Sequence, residues 1–237
     1  MPGQTIQANV ISIEAVTDYV KIVKLKPQQA AQFLAGQYLQ IVLSNEDKRI
    51  FSIASSPKDE LIELHIGAGP EDAYPQGALD HMAQKQTEGQ AVTLEIGLGS
   101  AHLNDNSERP IILMAGGTGF SYTKSIADYL AQTKPQHNVI MYWGVKEASA
   151  LYAIEAMQAW ANAHENFQFI PVIEQADSTW QGKTGYVHQA VMADVADLAS
   201  YDIYLAGPFK MAGVARDDFI AKGAIKEQMF ADAFAFI

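Results

Sequence analysis

Five consecutive apolar residues, Ile111-Ile112-Leu113-Met114-Ala115, run directly into Gly116-Gly117-Thr118-Gly119, and no other stretch limits the fold so tightly. A strand with one wet face alternates polar and apolar residues. An unbroken apolar run is instead a strand buried on both faces, as in a parallel sheet with helices on each side. The sequence beyond it fits that reading. Helical spacing over 123–132, 151–164 and 185–199 is interleaved with apolar strands over 138–143, 167–173 and 201–206. Such alternation predicts a doubly wound parallel α/β domain.

Upstream the pattern differs. Val10–Ile13, Val20–Leu25, Gly36–Leu43, the stretch at Arg49, Leu61–Ile66 and Ala91–Ile96 are short β-rich runs separated by turns such as Ser44-Asn45-Glu46-Asp47 and Ser56-Pro57-Lys58-Asp59. One helix is expected among them, from Gly77 to Gln86. Six short strands with little helix predict a small antiparallel β-barrel. The polar, irregular piece from Gly97 to Arg109 then divides the chain, with residues 1–104 as the barrel and 105–237 as the α/β domain.

Composition narrows the function. A net charge of −11 argues against nucleic acid and anionic membranes as partners, because both require clustered Lys and Arg. The chain has no cysteine, which removes disulfides, thiolate catalysis and Cys-ligated metals. The six histidines show no metal-ligand spacing, so no metal site is expected. Neither a signal peptide nor a run long enough to span a bilayer is evident, and a soluble cytoplasmic protein is the expectation.

Three stretches carry chemistry. Gly116 to Ser121 joins a buried strand to a helix, where glycines let backbone approach a ligand and free amides suit a phosphate. It is neither a full dinucleotide fingerprint nor a Walker loop, since the last fingerprint position falls on Tyr122 and no Gly precedes Lys124. The acid that would hold a ribose some twenty residues on is also missing, so NADH and NADPH stay undecided. Gly207-Pro208 lies at another strand end and could flank the same crevice. Arg49-Ile50-Phe51-Ser52 is the third stretch. In an unbroken strand Arg49, Phe51, Ile53 and Ser55 would share one face and Ser52 would take the other.

Arg49-Ile50-Phe51-Ser52, Leu64-His65-Ile66-Gly67-Ala68, Ala115 to Tyr122, Tyr142-Trp143-Gly144 and the terminal Asp232 to Ile237 together resemble the ferredoxin–NADP reductase superfamily. The resemblance covers Ile11 to the last residue. It is nearer to the bacterial NAD(P)H:flavin oxidoreductases, including those that serve luminous bacteria. It implies hydride transfer from NADH or NADPH to N5 of FMN, FAD or riboflavin. Ser52 would act near N5, Arg49 at the ribityl or phosphate end, and Phe51 and His65-Ile66-Gly67-Ala68 around the ring. Gly116, Gly117, Thr118, Gly119, Phe120 and Ser121 would receive the nicotinamide nucleotide, with Gly207 and Pro208 opposite. A luciferase, a monooxygenase or ferric iron would take the reduced flavin.

Two departures from the family pattern stand out. Gly77-Ala78-Leu79-Asp80 puts an acid where relatives with tightly held FAD present a hydroxyl, which favours flavin as a diffusing substrate. Ala206 replaces the usual Cys before Gly-Pro. Two rival readings are a resident-FAD reductase passing electrons to a protein partner and an NAD(P)-binding module without turnover. Lys183 is a further candidate for a nucleotide phosphate, the Asp217-Asp218 pair reads as a solvated helix face, and Phe234-Ala235-Phe236 reads as a last strand.

Overall fold

In the computed structural model, which describes residues 3–237, the chain forms two sheets of six strands each. The first holds β1 (Gln4–Ala15), β2 (Val20–Pro27), β3 (Tyr38–Val42), β4 (Lys48–Ser52), β5 (Ile62–Gly67) and β6 (Val92–Leu98), with the 15-residue helix α1 (Ala73–Thr87) before β6. Its order is β4-β3-β6-β1-β2-β5, antiparallel throughout. Period-two spacing drives Ile6, Ala8 and Val10, Leu39 and Ile41, and Val92, Leu94 and Ile96 into one interior. A bulge leaves Ile11 without a partner and turns it to the surface. The two edge strands curl toward one another, where Ala54 N–H donates to Glu63 O at 2.7 Å and Glu63 N–H donates to Ser55 Oγ at 3.0 Å. The sheet is a nearly closed six-stranded barrel, and Ala78, Leu79 and Met82 of α1 fill its open end.

Helix α1 begins four residues before the expected Gly77, because Asp72 caps it by accepting Tyr74 N–H at 3.3 Å. Pro75 sits in the first turn, where its missing N–H would have had no intrahelical partner. Asp80 therefore lies in the second turn, exposed and bonded to Gln76 at 2.8 Å, and it is not the acid at the helix N-terminus. That acid is Asp72.

The second sheet is parallel: β7 (Ile111–Gly116), β8 (Val139–Val145), β9 (Phe167–Ile173), β10 (Lys183–Thr184), β11 (Asp202–Ala206) and β12 (Met229–Phe230), in the order β10-β9-β8-β7-β11-β12. Ile111, Leu113 and Ala115 face helices α2 (Phe120–Thr133) and α3 (Ile154–Asn162). Ile112 and Met114 face α4 (Val187–Asp194) and α5 (Phe209–Ala221). Burial on both faces is the physical content of the unbroken apolar run. The single helix expected over 185–199 is shorter: α4 stops at Asp194, and Asp197 caps a separate 3₁₀ turn by accepting Ala199 N–H at 3.1 Å. Helix α3 starts only at Ile154, leaving Leu151 and Tyr152 outside it. At the carboxyl end, Asp232–Ala235 forms a 3₁₀ turn, so the last strand is the short β12 that precedes it.

Helix α2 is the seam between the halves. Ser125 Oγ donates to Ser55 O at 2.7 Å, Gln132 Nε2 donates to Asp59 Oδ1 at 2.9 Å, and the Tyr122 hydroxyl donates to Ala101 O.

Candidate functional site

Strand order reverses between β7 and β11, and the ends of these strands open onto a crevice, the usual ligand position in an open α/β sheet. Ala115 pairs with Ala206, so Gly116 and Gly207 emerge side by side. The chain then makes a 3₁₀ turn, Gly117–Gly119, that leads into α2. A Cβ on Gly116 would overlap Met211 Sδ, and one on Gly119 would lie 2.5 Å from the Ala206 carbonyl carbon. These two glycines therefore let β7 and the segment after β11 close on each other. Gly117 differs: its φ is +55° and nothing lies within 4 Å of its Cβ position. Of the three, it is the one with open space beside it. The Trp143 indole supports the turn from beneath, donating to Gly117 O at 2.9 Å while stacking on Phe120 at 4.0 Å. Phe120 is fully buried, so it braces the turn from inside.

Two clefts meet at this turn. One, of about 530 Å³, lies between it and the barrel and is walled by Phe51 and Ser52 of β4, His65 and Gly67 of β5, and Thr118 and Ser121. Phe51 and Ser52 end the strand at this space, and Phe51, like the buried Ile53, also packs against the barrel core. The Ser52 hydroxyl has no hydrogen-bond partner among the described residues, although its strand is paired with Tyr38. Ile66 points into the barrel core, and Ala68 N–H is taken by Tyr19 O at 2.7 Å.

Arg49 is not part of the wall. Its Nη2 bonds Asp47 Oδ2 at 2.7 Å, its Nε lies 2.6 Å from Oδ1, and the guanidinium sits 4.7 Å over the Tyr74 ring. Asp72 and Tyr74 do line the cleft, as does Asp232, whose carboxyl is pushed up by burial. None of these three is among the candidate site residues of the sequence, although Asp232 opens the terminal stretch that carries the family resemblance. Asp72 had a legible signal, an Asp placed before a helix.

The other cleft, about 660 Å³, shares Gly116, Gly117, Thr118 and Pro208 with the first and continues over the ends of β8 and β9. Both volumes suit small ligands. Lys146 and Glu174 directly follow their strands, and the strand-end rule alone would have found them. Gly144 lets Val187 approach, since its Cβ would fall 2.6 Å from Val187 Cβ. Lys183 is engaged by Asp194 at 2.6 Å and does not line the cleft. Asp218 lines it and is no mere solvated acid: its carboxylate lies 3.2 Å from Nε2 of His188, a buried residue whose Nδ1 is unpartnered.

Behind the first cleft, Glu63 faces His65 at 2.8 Å and the Lys124 ammonium at 3.3 Å. Burial pushes the Glu63 carboxyl up, but the His65 hydrogen bond and the Lys124 charge outweigh it and hold its pKa at about 2. A carboxyl depressed from 4.5 contributes stability above that pH and loses it as the pH falls toward 2, here about 3 kcal/mol in all. Denaturant titrations at stepped pH should therefore show the wild type weakening over this window and Glu63→Gln giving a flatter curve. Parallel curves would deny the carboxylate that role.

A family model described as the oxidoreductase NAD-binding domain matches residues 113–217. The chain is 44% identical to an NAD(P)H-flavin reductase of Vibrio harveyi, over 98% of this chain and 100% of that protein. It is 43% identical to an NAD(P)H-flavin reductase of Aliivibrio fischeri, over 98% and 99%. Among solved structures, the ferredoxin reductase in carbazole 1,9a-dioxygenase superposes with a TM-score of 0.83 at 25% identity, covering 99% of this chain and 70% of that one.

Proposed function

This chain belongs to the NAD(P)H-flavin reductase family, and from that premise we propose that its two clefts divide one reaction, hydride transfer from NADH or NADPH to flavin. The observation that carries the division is the common floor of the clefts, Gly116 to Thr118 with Pro208, where two flat rings can meet. The barrel cleft takes the flavin ring against Phe51, the Ser52 hydroxyl, His65 and Gly67. Residues 1–104 carry this half of the task and 105–237 the other. The wider cleft takes the nicotinamide nucleotide, with the Gly116-Gly117-Thr118 backbone as its floor.

Flavin, when bound, supplies the hydride acceptor, and no acid–base dyad is needed. The protein's task is to align the rings and exclude water. Flavin acts here as a diffusing substrate. Its cleft contains the N-terminus of α1, but Asp72 caps that end and disfavours a diphosphate. Arg49, tied to Asp47, offers little free charge in compensation. Among the described residues no helix is long and apolar enough to cross a membrane. We place the protein in the cytoplasm, releasing reduced flavin to a monooxygenase, a luciferase or ferric iron.

The desalted protein should be colourless and should oxidise NADH only when FMN is added. A visible flavin spectrum surviving desalting would overturn the diffusing-substrate reading and favour a resident-FAD reductase with a protein partner.

A further inference from the structure

Between the clefts lies a buried hydrogen-bonded chain that hydride transfer itself does not require. His65, 6% exposed, has Nε2 2.8 Å from Glu63 Oε1 and Nδ1 2.9 Å from the Tyr152 hydroxyl. A carboxylate only accepts, so Nε2 carries the hydrogen, and Nδ1 accepts the hydrogen of Tyr152. On the far side of Glu63, Lys124 also reaches Asp128 at 2.8 Å. Glu63 and His65 are on β5 of the barrel, whereas Lys124 and Asp128 are on α2, and Tyr152 lies just before α3. His65 lines the first cleft and Tyr152 the second, so one hydrogen bond joins their walls.

The strand that carries His65 runs on to Gly67, where a Cβ would lie 3.1 Å from Thr118 Cγ2. The β5 edge is thus packed directly on the glycine turn, and the spacing of the two elements sets the spacing of two rings bound against them. We propose that His65 is a positioning residue for hydride transfer, its ring tying β5 to Tyr152, which packs on the Phe120 and Trp143 rings that brace the glycine turn. This rests on flavin occupying the first cleft and the nicotinamide the second.

The arrangement requires a neutral ring. Protonation puts a hydrogen on Nδ1, which can then no longer accept from the Tyr152 hydroxyl, and this hydrogen bond is lost in its present sense. Burial lowers the His65 pKa from its ordinary 6.5, while Glu63 opposes the shift; Lys124 lowers it further and Asp128 raises it. Acid should therefore weaken the link below pH 6.5.

The test uses Tyr152→Phe, which removes one hydroxyl and keeps the ring, together with His65→Gln, which keeps a donor for Glu63 and does not titrate. In Tyr152→Phe, kcat should fall about tenfold, with KM for NADH and for FMN unchanged and Tm near wild type. In His65→Gln the acid limb of the kcat–pH profile should disappear. As a readout independent of turnover, the His65 ring resonances in NMR should titrate below pH 6.5 in the wild type and move upward in Tyr152→Phe. The proposal is overturned if Tyr152→Phe keeps full kcat, if its losses track Tm equally at every pH, or if the acid limb survives His65→Gln. Failure of the cleft assignment has a different signature, full kcat in Ser52→Ala, and it removes this proposal as well. Slow Ser52→Ala beside fast Tyr152→Phe defeats the proposal alone.

Discussion

Replacing Ser52 by alanine is expected to lower kcat about a hundredfold while leaving KM for NADH within about twofold, the usual cost of losing one donor aimed at developing charge. The expectation comes from position. Ser52 is the last residue of the barrel's edge strand, it faces the first cleft, and its hydroxyl is unclaimed by the protein among the described residues. A hydroxyl left unpaired at a cleft wall is available to a ligand, and this one sits on the barrel side of the glycine turn. Removing it should change folding stability by no more than about 0.5 kcal/mol, because no protein contact is lost. Ser52→Thr, which keeps the hydroxyl, should recover part of the rate. Stopped-flow reduction of FMN by NADH separates the hydride step from binding and release. An unchanged hydride-transfer rate in Ser52→Ala would remove Ser52 from the mechanism.

Gly119→Ala should have the largest effect on stability, about 2–3 kcal/mol, as for overpacking of a tight interior. Gly119 has φ −56° and ψ −13°, a conformation open to any residue, so backbone strain plays no part. The cost is steric alone. The added methyl would press on the Ala206 carbonyl and come within 2.8 Å of Gly207 N, and both are backbone atoms fixed by the β7–β11 pairing. A side chain could rotate away, but a paired strand end cannot. The turn must shift, so KM for NADH should rise along with the loss of stability. Gly117→Ala is the control: it meets no atom within 4 Å and should cost only about 1 kcal/mol, for a left-handed residue bearing a Cβ. Equal Tm values for the two variants would refute the packing argument.

Much of this protein was legible because burial leaves a local trace. The unbroken run Ile111–Ala115 announced a strand covered on both faces, and the period-two runs around Leu39 and Val92 announced a barrel wall. The glycines at 116–119 are recognisable as a close turn between a buried strand and a helix, but their separate tasks are not. Gly116 and Gly119 are small for the sake of Met211 and Ala206, which lie nearly ninety or more residues away in sequence, whereas Gly117 faces open space. Arg49 looked like an available cation until Asp47 and Tyr74 were seen around it. The acid at the start of α1 is Asp72 and not Asp80, because the helix begins before Gly77 with Pro75 in its first turn.

The two architectures, their order and the stretches that supply the crevice follow from local sequence alone, since each depends on periodicity and turn chemistry within a few residues. Which charges are engaged, which acid caps α1, and that His65 and Tyr152, 87 residues apart, share a hydrogen bond depend on the folded chain. A side chain's partner is fixed by the closing of one sheet on another, and that distance-dependent pairing leaves no mark in the local pattern.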